Sequence, residues 1–186
     1  RVRRIGFLHT FSVDEPSDKV QIAAFLSELD RFGWRDGRNI HIEYRSGTAG
    51  DADRIRRYAA ELVALAPDVI FAVGTANVGS LVQATRTVPI VFALVADPVG
   101  AGIVASLARP GGNATGLVQF EYGLSGKWLE LLKEIEPRVK RVAVLRDPAI
   151  TAGIGQFGAI QAVAPSLGLD VTPVNVREAG EIEQAI

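Results

Sequence analysis

The sequence contains no cysteine and no methionine, and its only histidines are His9 and His41. Without cysteine there is no disulfide, no thiolate metal site and no cysteine nucleophile. The two histidines stand far apart, without the His-x-x-x-His spacing of a helical zinc site, so no metal is expected. No G-x-S-x-G elbow occurs, and no catalytic residue is assigned. The longest apolar run, Val88 to Ala96, falls far short of the roughly 20 residues that a membrane helix needs, so a spanning segment is not expected. Charge of one sign is also missing. The 20 basic and 21 acidic residues leave a net charge of -1, which gives no electrostatic footprint for nucleic acid. The arginine groups Arg1, Arg3, Arg4 and Arg54, Arg56, Arg57 read as solvated faces. The chain starts at Arg1, and an N-terminus processed by removal of an export signal is the expectation.

What is present is the composition of a globular protein: 186 residues, 48% hydrophobic and 22% charged, enough for one large domain or two small ones. Strand and helix patterns alternate. Ile5 to His9 suits a buried parallel strand. A helix is expected from about Asp18 to Phe32, with Ile22, Phe25, Leu26 and Leu29 on one face and Gly33 as its stop. Further strands are expected at Asn39–Tyr44, Asp68–Val73, Pro89–Ala96 and Ala114–Gln119. Helices are expected after Asp51, at Thr75–Arg86 and at about Ser125–Glu136. The pattern restarts with a strand at Arg141–Arg146, a helix to about Leu167, a strand at Leu169–Val176 and the first turns of a helix from Glu178. Strands joined by such helices predict an α/β fold, with parallel sheets and right-handed crossovers.

A faint echo supports two Rossmann-like lobes. Arg3-Arg4-Ile5-Gly6-Phe7-Leu8 and Lys140-Arg141-Val142-Ala143-Val144-Leu145 open in the same basic-basic-apolar way. The expected division is a first lobe over residues 1–118, a hinge over 119–123 and an incomplete second lobe over 124–186.

The stretch from Pro89 to Gly116 offers two functions. Gly100-Ala101-Gly102-Ile103-Val104-Ala105 matches the dinucleotide fingerprint G-x-G-x-x-A, with Glu121 about 20 positions on. The fingerprint should follow its strand at once and open a long helix. Here Asp97-Pro98-Val99 intervene, and only a short apolar helix fits before Pro110. No cofactor is therefore expected, although a nucleotide-dependent enzyme stays a rival reading. Gly74 to Gly79 carries the outer glycines of a P-loop, but Ser80 and Leu81 replace its Lys and Ser/Thr. Asn113-Ala114-Thr115 fits a glycosylation sequon and equally an ordinary turn.

In open α/β sheets, ligands bind beyond the carboxyl ends of the strands. There the sequence places Thr10, Phe11 and Ser12, then Gly74, Thr75 and Ala76 at a helix start, then Asp97, and in the second lobe Asp147, Thr151 and Gly153. A helix N-terminus at Thr75 suits a carboxylate. Asp97 suits an ammonium group, and Phe11, Phe120 and Tyr122 suit an apolar side group. Together they describe an α-amino acid, with an aromatic one as a special case. Asp97 before Pro98 is equally a helix N-cap with proline at N1, and Asp147 before Pro148 has the same alternative. Gly74 and Thr75 also make a plain strand-to-helix turn.

Several motifs add a resemblance. Ile5-Gly6-Phe7-Leu8, Gly33-Trp34-Arg35-Asp36-Gly37-Arg38-Asn39-Ile40, Ile42-Glu43-Tyr44-Arg45, Pro89-Ile90-Val91-Phe92, Asp97-Pro98-Val99-Gly100-Ala101-Gly102 and Arg109-Pro110-Gly111-Gly112-Asn113-Ala114-Thr115-Gly116 resemble the substrate-binding proteins of ABC transporters, in the tryptophan/tyrosine-binding-like group. The resemblance implies a two-lobe periplasmic-binding fold, a small molecule held between lobes, a permease partner and an extracytoplasmic location. It supports Thr75, Ala76 and Asp97 as cleft residues. Members of the group continue through a complete second lobe, whereas this chain is shorter. The remaining rival is the sensing domain of a regulator, which would carry a helix-turn-helix ahead of the first strand.

Overall fold

A computed structural model of the chain describes residues 1–9, 16–46, 51–148, 151–176 and 179–185. The elements alternate as the sequence patterns predict. They run β1 (Arg3–His9), α1 (Pro16–Arg31), β2 (Ile40–Ser46), α2 (Ala52–Ala64), β3 (Val69–Val73), α3 (Thr75–Ala84), β4 (Ile90–Ala96) and β5 (Ala114–Phe120). After a linker of three residues come α4 (Leu124–Ile135), β6 (Arg141–Arg146), α5 (Thr151–Val163), β7 (Asp170–Asn175) and α6 (Ala179–Ala185). The first five strands form one parallel sheet in the order β2-β1-β3-β4-β5, and β6 pairs with β7 in a second parallel sheet.

Up to its edge strand β5, the large sheet is packed by helices on both faces, as parallel sheets are. Leu8, Ile70, Ile90, Phe92 and Val95 pack with Ala59 and Leu62 of α2 and Val78 and Leu81 of α3. On the opposite face, Ile5, Phe7, Ile40, Ile42 and Val73 meet Ile22, Phe25, Leu26 and Leu29 of α1. Phe25 stacks on Phe71 with ring centroids 4.9 Å apart. A third core sits around the small sheet, where Leu129, Ile160, Ala164 and Leu169 cluster with Val142, Val144 and Val171. Asp51 caps α2 as its position suggests, its Oδ1 accepting from the Arg54 N–H at 2.9 Å.

Three expectations change. No helix forms between Asp97 and Pro110; the chain there runs through successive turns. Asp97 and Gly102, with φ of +39° and +69°, are both outside helical geometry, and the Gly102 N–H donates to Val99 O at 2.9 Å in a turn. The helix expected to reach Leu167 stops at Val163 and tightens into a 3-10 turn at Ala164–Leu167 with proline in its first turn, because Pro165 has no N–H for the α-helical ladder. Strand β5 continues one residue past the expected Gln119, through Phe120, and Glu121–Gly123 connect it to α4.

Candidate functional site

The carboxyl ends of β3, β4 and β5 meet at one rim. Gly74 leaves β3 with φ of +90°, a region that glycine enters without steric cost. This turn sets Thr75 at the start of α3. The Gly74 N–H donates to Ala93 O at 3.1 Å, and Thr75 Oγ1 accepts from the Ala96 N–H at 3.3 Å. The start of β4's exit loop is thereby tied to the start of α3. No side chain caps α3, so its first-turn N–H groups, at the positive end of the helix dipole, have no acceptor from a capping residue.

Asp97 adopts φ of +39°, uncommon for a residue with a Cβ. Its N–H donates to Phe120 O at 2.8 Å, and its C=O accepts from the Ala101 N–H at 2.9 Å. Its Oδ1 accepts from the Gly100 N–H at 2.7 Å and its Oδ2 from the Tyr122 N–H at 3.3 Å. The capping half of its expected role is thus visible, but it caps a turn, with no helix behind it. Gly100 has a reason of its own. A Cβ there would stand 2.8 Å from Asp97 Oδ2 and 2.9 Å from Cγ, so the fingerprint's first glycine makes room for a carboxylate. With no helix after it, the segment lacks the helix N-terminus that a pyrophosphate uses. Burial raises the Tyr122 phenol above its ordinary range, and the Asp97 charge adds to that.

The structure brings Gly74, Thr75, Ala76, Asp97 and Phe120 to this single rim. Thr75 and Ala76 also form a wall of a groove of about 460 Å³ with Gly79 and Ser80, facing Ile55 and Arg56 of α2 and Ala101 of the turn. The α2 side of that groove was not anticipated. The spacing of Thr75, Gly79, Ser80 and Gln83 along one helix face was the available signal. Asp147 follows β6 and borders a separate cavity of about 270 Å³ with Trp128, Gln156 and Phe157. There the Arg146 guanidinium lies 4.8 Å from the Phe157 ring centre and donates to Asn175 Oδ1 at 2.9 Å. Thr151 opens α5 in the same unit. Helix α5 also approaches α3, so the two groups of residues belong to neighbouring units. Thr10, Phe11 and Ser12 lie outside the described residues.

Residues 10–186 match the family model for ABC transporter substrate binding protein. The chain belongs to that family. The tyrosine-binding protein of Clostridioides difficile (strain R20291) is 30% identical to it over 174 residues, which is 94% of this chain and 50% of the relative. A conserved domain protein of Vibrio cholerae superposes with a TM-score of 0.81 at 28% identity, over 100% of this chain and 61% of that one. An ABC domain from Streptococcus pneumonia, solved in complex with L-Trp, superposes with a TM-score of 0.80 at 27% identity, over 99% of this chain and 60% of that one. This substrate-binding family member therefore spans about half the length of the curated relative it matches. Among its described residues, no helix is long and apolar enough to cross a membrane.

Proposed function

We propose that this chain contributes to a solute-binding protein that captures an amino acid, aromatic in character, between two lobes and presents it to an ABC permease outside the cytoplasm. Residues 1–118 and 124–186 are the two lobes, joined through 119–123. The observation that carries the reading is the uncapped start of α3 at Thr75, set on the strand rim of a family member. A ligand carboxylate there meets the Thr75 and Ala76 N–H groups and the positive end of the helix dipole. The ammonium group meets the rim carboxylate Asp97, and Asp147 of the second unit is a further proposed contact. Both oxygens of Asp97 accept a backbone N–H, and each keeps a further lone pair. Thr10, Phe11, Ser12, Gly74, Ala76, Phe120 and Thr151 complete the proposed contacts. The relatives named for tyrosine and solved with L-Trp favour an aromatic side group. The role is capture without catalysis, in which the ligand favours the closed state by its differential affinity for it.

Isothermal titration calorimetry of the chain with L-tryptophan and L-tyrosine tests this. Saturable binding of at least one is expected. Ala76→Asp, which places a negative charge in the first turn of α3, is expected to weaken it by about tenfold or more, equivalent to about 1.4 kcal/mol. No heat with either amino acid overturns the aromatic assignment. Unchanged affinity in Ala76→Asp overturns the carboxylate site.

A further inference from the structure

We propose that Asp97, Tyr122 and Gly155 form a clasp that sets the angle between the two units and so biases their open and closed arrangements; this role rests on the two-lobe reading above. Among the described residues, Glu121–Gly123 is the only stretch of chain that passes from the large sheet's unit to the small sheet's unit. Asp97 grips this stretch on both sides of Glu121. Its N–H donates to Phe120 O at 2.8 Å, and its Oδ2 accepts from the Tyr122 N–H at 3.3 Å. The two bonds fix the direction in which the chain leaves β5. The left-handed turn at Asp97 is what allows one residue to reach both partners.

Tyr122 carries this constraint into the second unit. Its C=O accepts from the Ser125 N–H at 2.9 Å, at the first turn of α4. Its ring lies against the backbone of α5 at Gly155. A Cβ at that position would stand 2.2 Å from Tyr122 Cε2 and 2.6 Å from Cδ2 and Cζ. Glycine inside a helix is unfavourable relative to alanine, and the tyrosine ring is the reason to keep one here. A rotation of α4 and α5 about the linker must either stretch the Asp97–Tyr122 bond or slide the ring off Gly155. The clasp therefore resists small rotations and yields as a step, the behaviour of a hinge built from a few element-terminal residues.

The chain has no cysteine, so Ala23→Cys on α1 and Gln161→Cys on α5, both at exposed positions, accept one spin label each. Double electron–electron resonance on the ligand-free chain then reads the distance between the units. Gly155→Ala is expected to shift the mean distance, because the new methyl displaces the ring. Tyr122→Ala is expected to broaden the distribution, and adding Gly155→Ala in that background should shift nothing further. A parental distribution for Gly155→Ala, or a Gly155→Ala shift that persists without the Tyr122 ring, overturns the clasp. If Gly155→Ala fails to fold, Tyr122→Ala decides: a broadened distribution supports the clasp and an unchanged one overturns it. No ligand enters the measurement, so its failure leaves the calorimetric test of amino-acid binding standing, and the reverse.

Discussion

The three tyrosines of the chain occupy three electrostatic settings. Burial pushes the Tyr122 phenol up, with the charge of Asp97 adding to it. Burial does the same for Tyr44, with Asp36 as the second cause. Tyr58 moves the other way, because a hydrogen bond from Arg54 favours its phenolate, and Arg57 contributes too. For Tyr44 and Tyr122 the folded state prefers the neutral phenol. Their stabilisation is complete below the ordinary value of about 10 and is lost as pH rises through the higher folded values. Alkaline titration followed by phenolate absorbance is therefore expected to show an early step from Tyr58 and a later one from Tyr44 and Tyr122. Tyr122→Phe should remove part of the late step only. One coincident transition at the ordinary value contradicts these settings. Asp97 was legible as a capping residue from its neighbour Pro98. Its partner Tyr122 was not, because the two lie 25 positions apart and meet only through the parallel pairing of β4 with β5.

At the level of elements, alternation of apolar runs with amphipathic stretches predicted strands and helices close to those observed, because local periodicity follows the burial of each face. The segment after β4 was the exception. Its apolar residues and leading proline look helical, but the glycines at 100 and 102 serve tight turns under the sheet edge. Strand β4 is itself irregular, with register shifts between Phe92 and Val95 and a φ of +53° at Leu94. Beside this bulge β5 comes so close that a Cβ at Gly116 would stand 2.1 Å from Phe92 O. A backbone oxygen cannot swing aside as a side chain can. Gly116→Ala is expected to lose stability at or beyond the upper end of the range of about 1–3 kcal/mol for overpacked sites. Gly112→Ala, where a Cβ would meet nothing within 4 Å, should be close to neutral. Chemical denaturation of the two variants checks this, and equal effects would contradict the bulge contact.

At the scale of the whole molecule, the two sheets differ in how fully they are covered. The large sheet has helices on both faces up to its edge strand β5, where Leu117 is 75% exposed, whereas in the small sheet Leu145 on β6 stays 45% exposed. Helices α4 and α5 pack on one side of the small sheet. The relatives that superpose on this chain are longer, and this chain covers 60% to 61% of two of them. If ligand capture proceeds by approach of the two units, small-angle scattering should record a smaller radius of gyration with saturating L-tryptophan than without it. Binding by calorimetry with an unchanged radius would mean that capture needs no closure. The clasp at Asp97 and Tyr122 bears on the same motion from the opposite direction, through the ligand-free angle.

The alternation of strands and helices outside the segment after β4, the α/β class and the rim at Gly74, Thr75 and Asp97 were determined by the sequence alone. Periodicity, caps and turn residues act over a few positions, and parallel strands place all their carboxyl ends on one side. The tertiary structure decided the rest: that Asp97 ends in a turn instead of a helix, that its carboxylate is held by Gly100 and Tyr122, and that Tyr122 rests on Gly155. Those contacts depend on sheet order and on the close packing of segments distant in the chain, which no local pattern encodes.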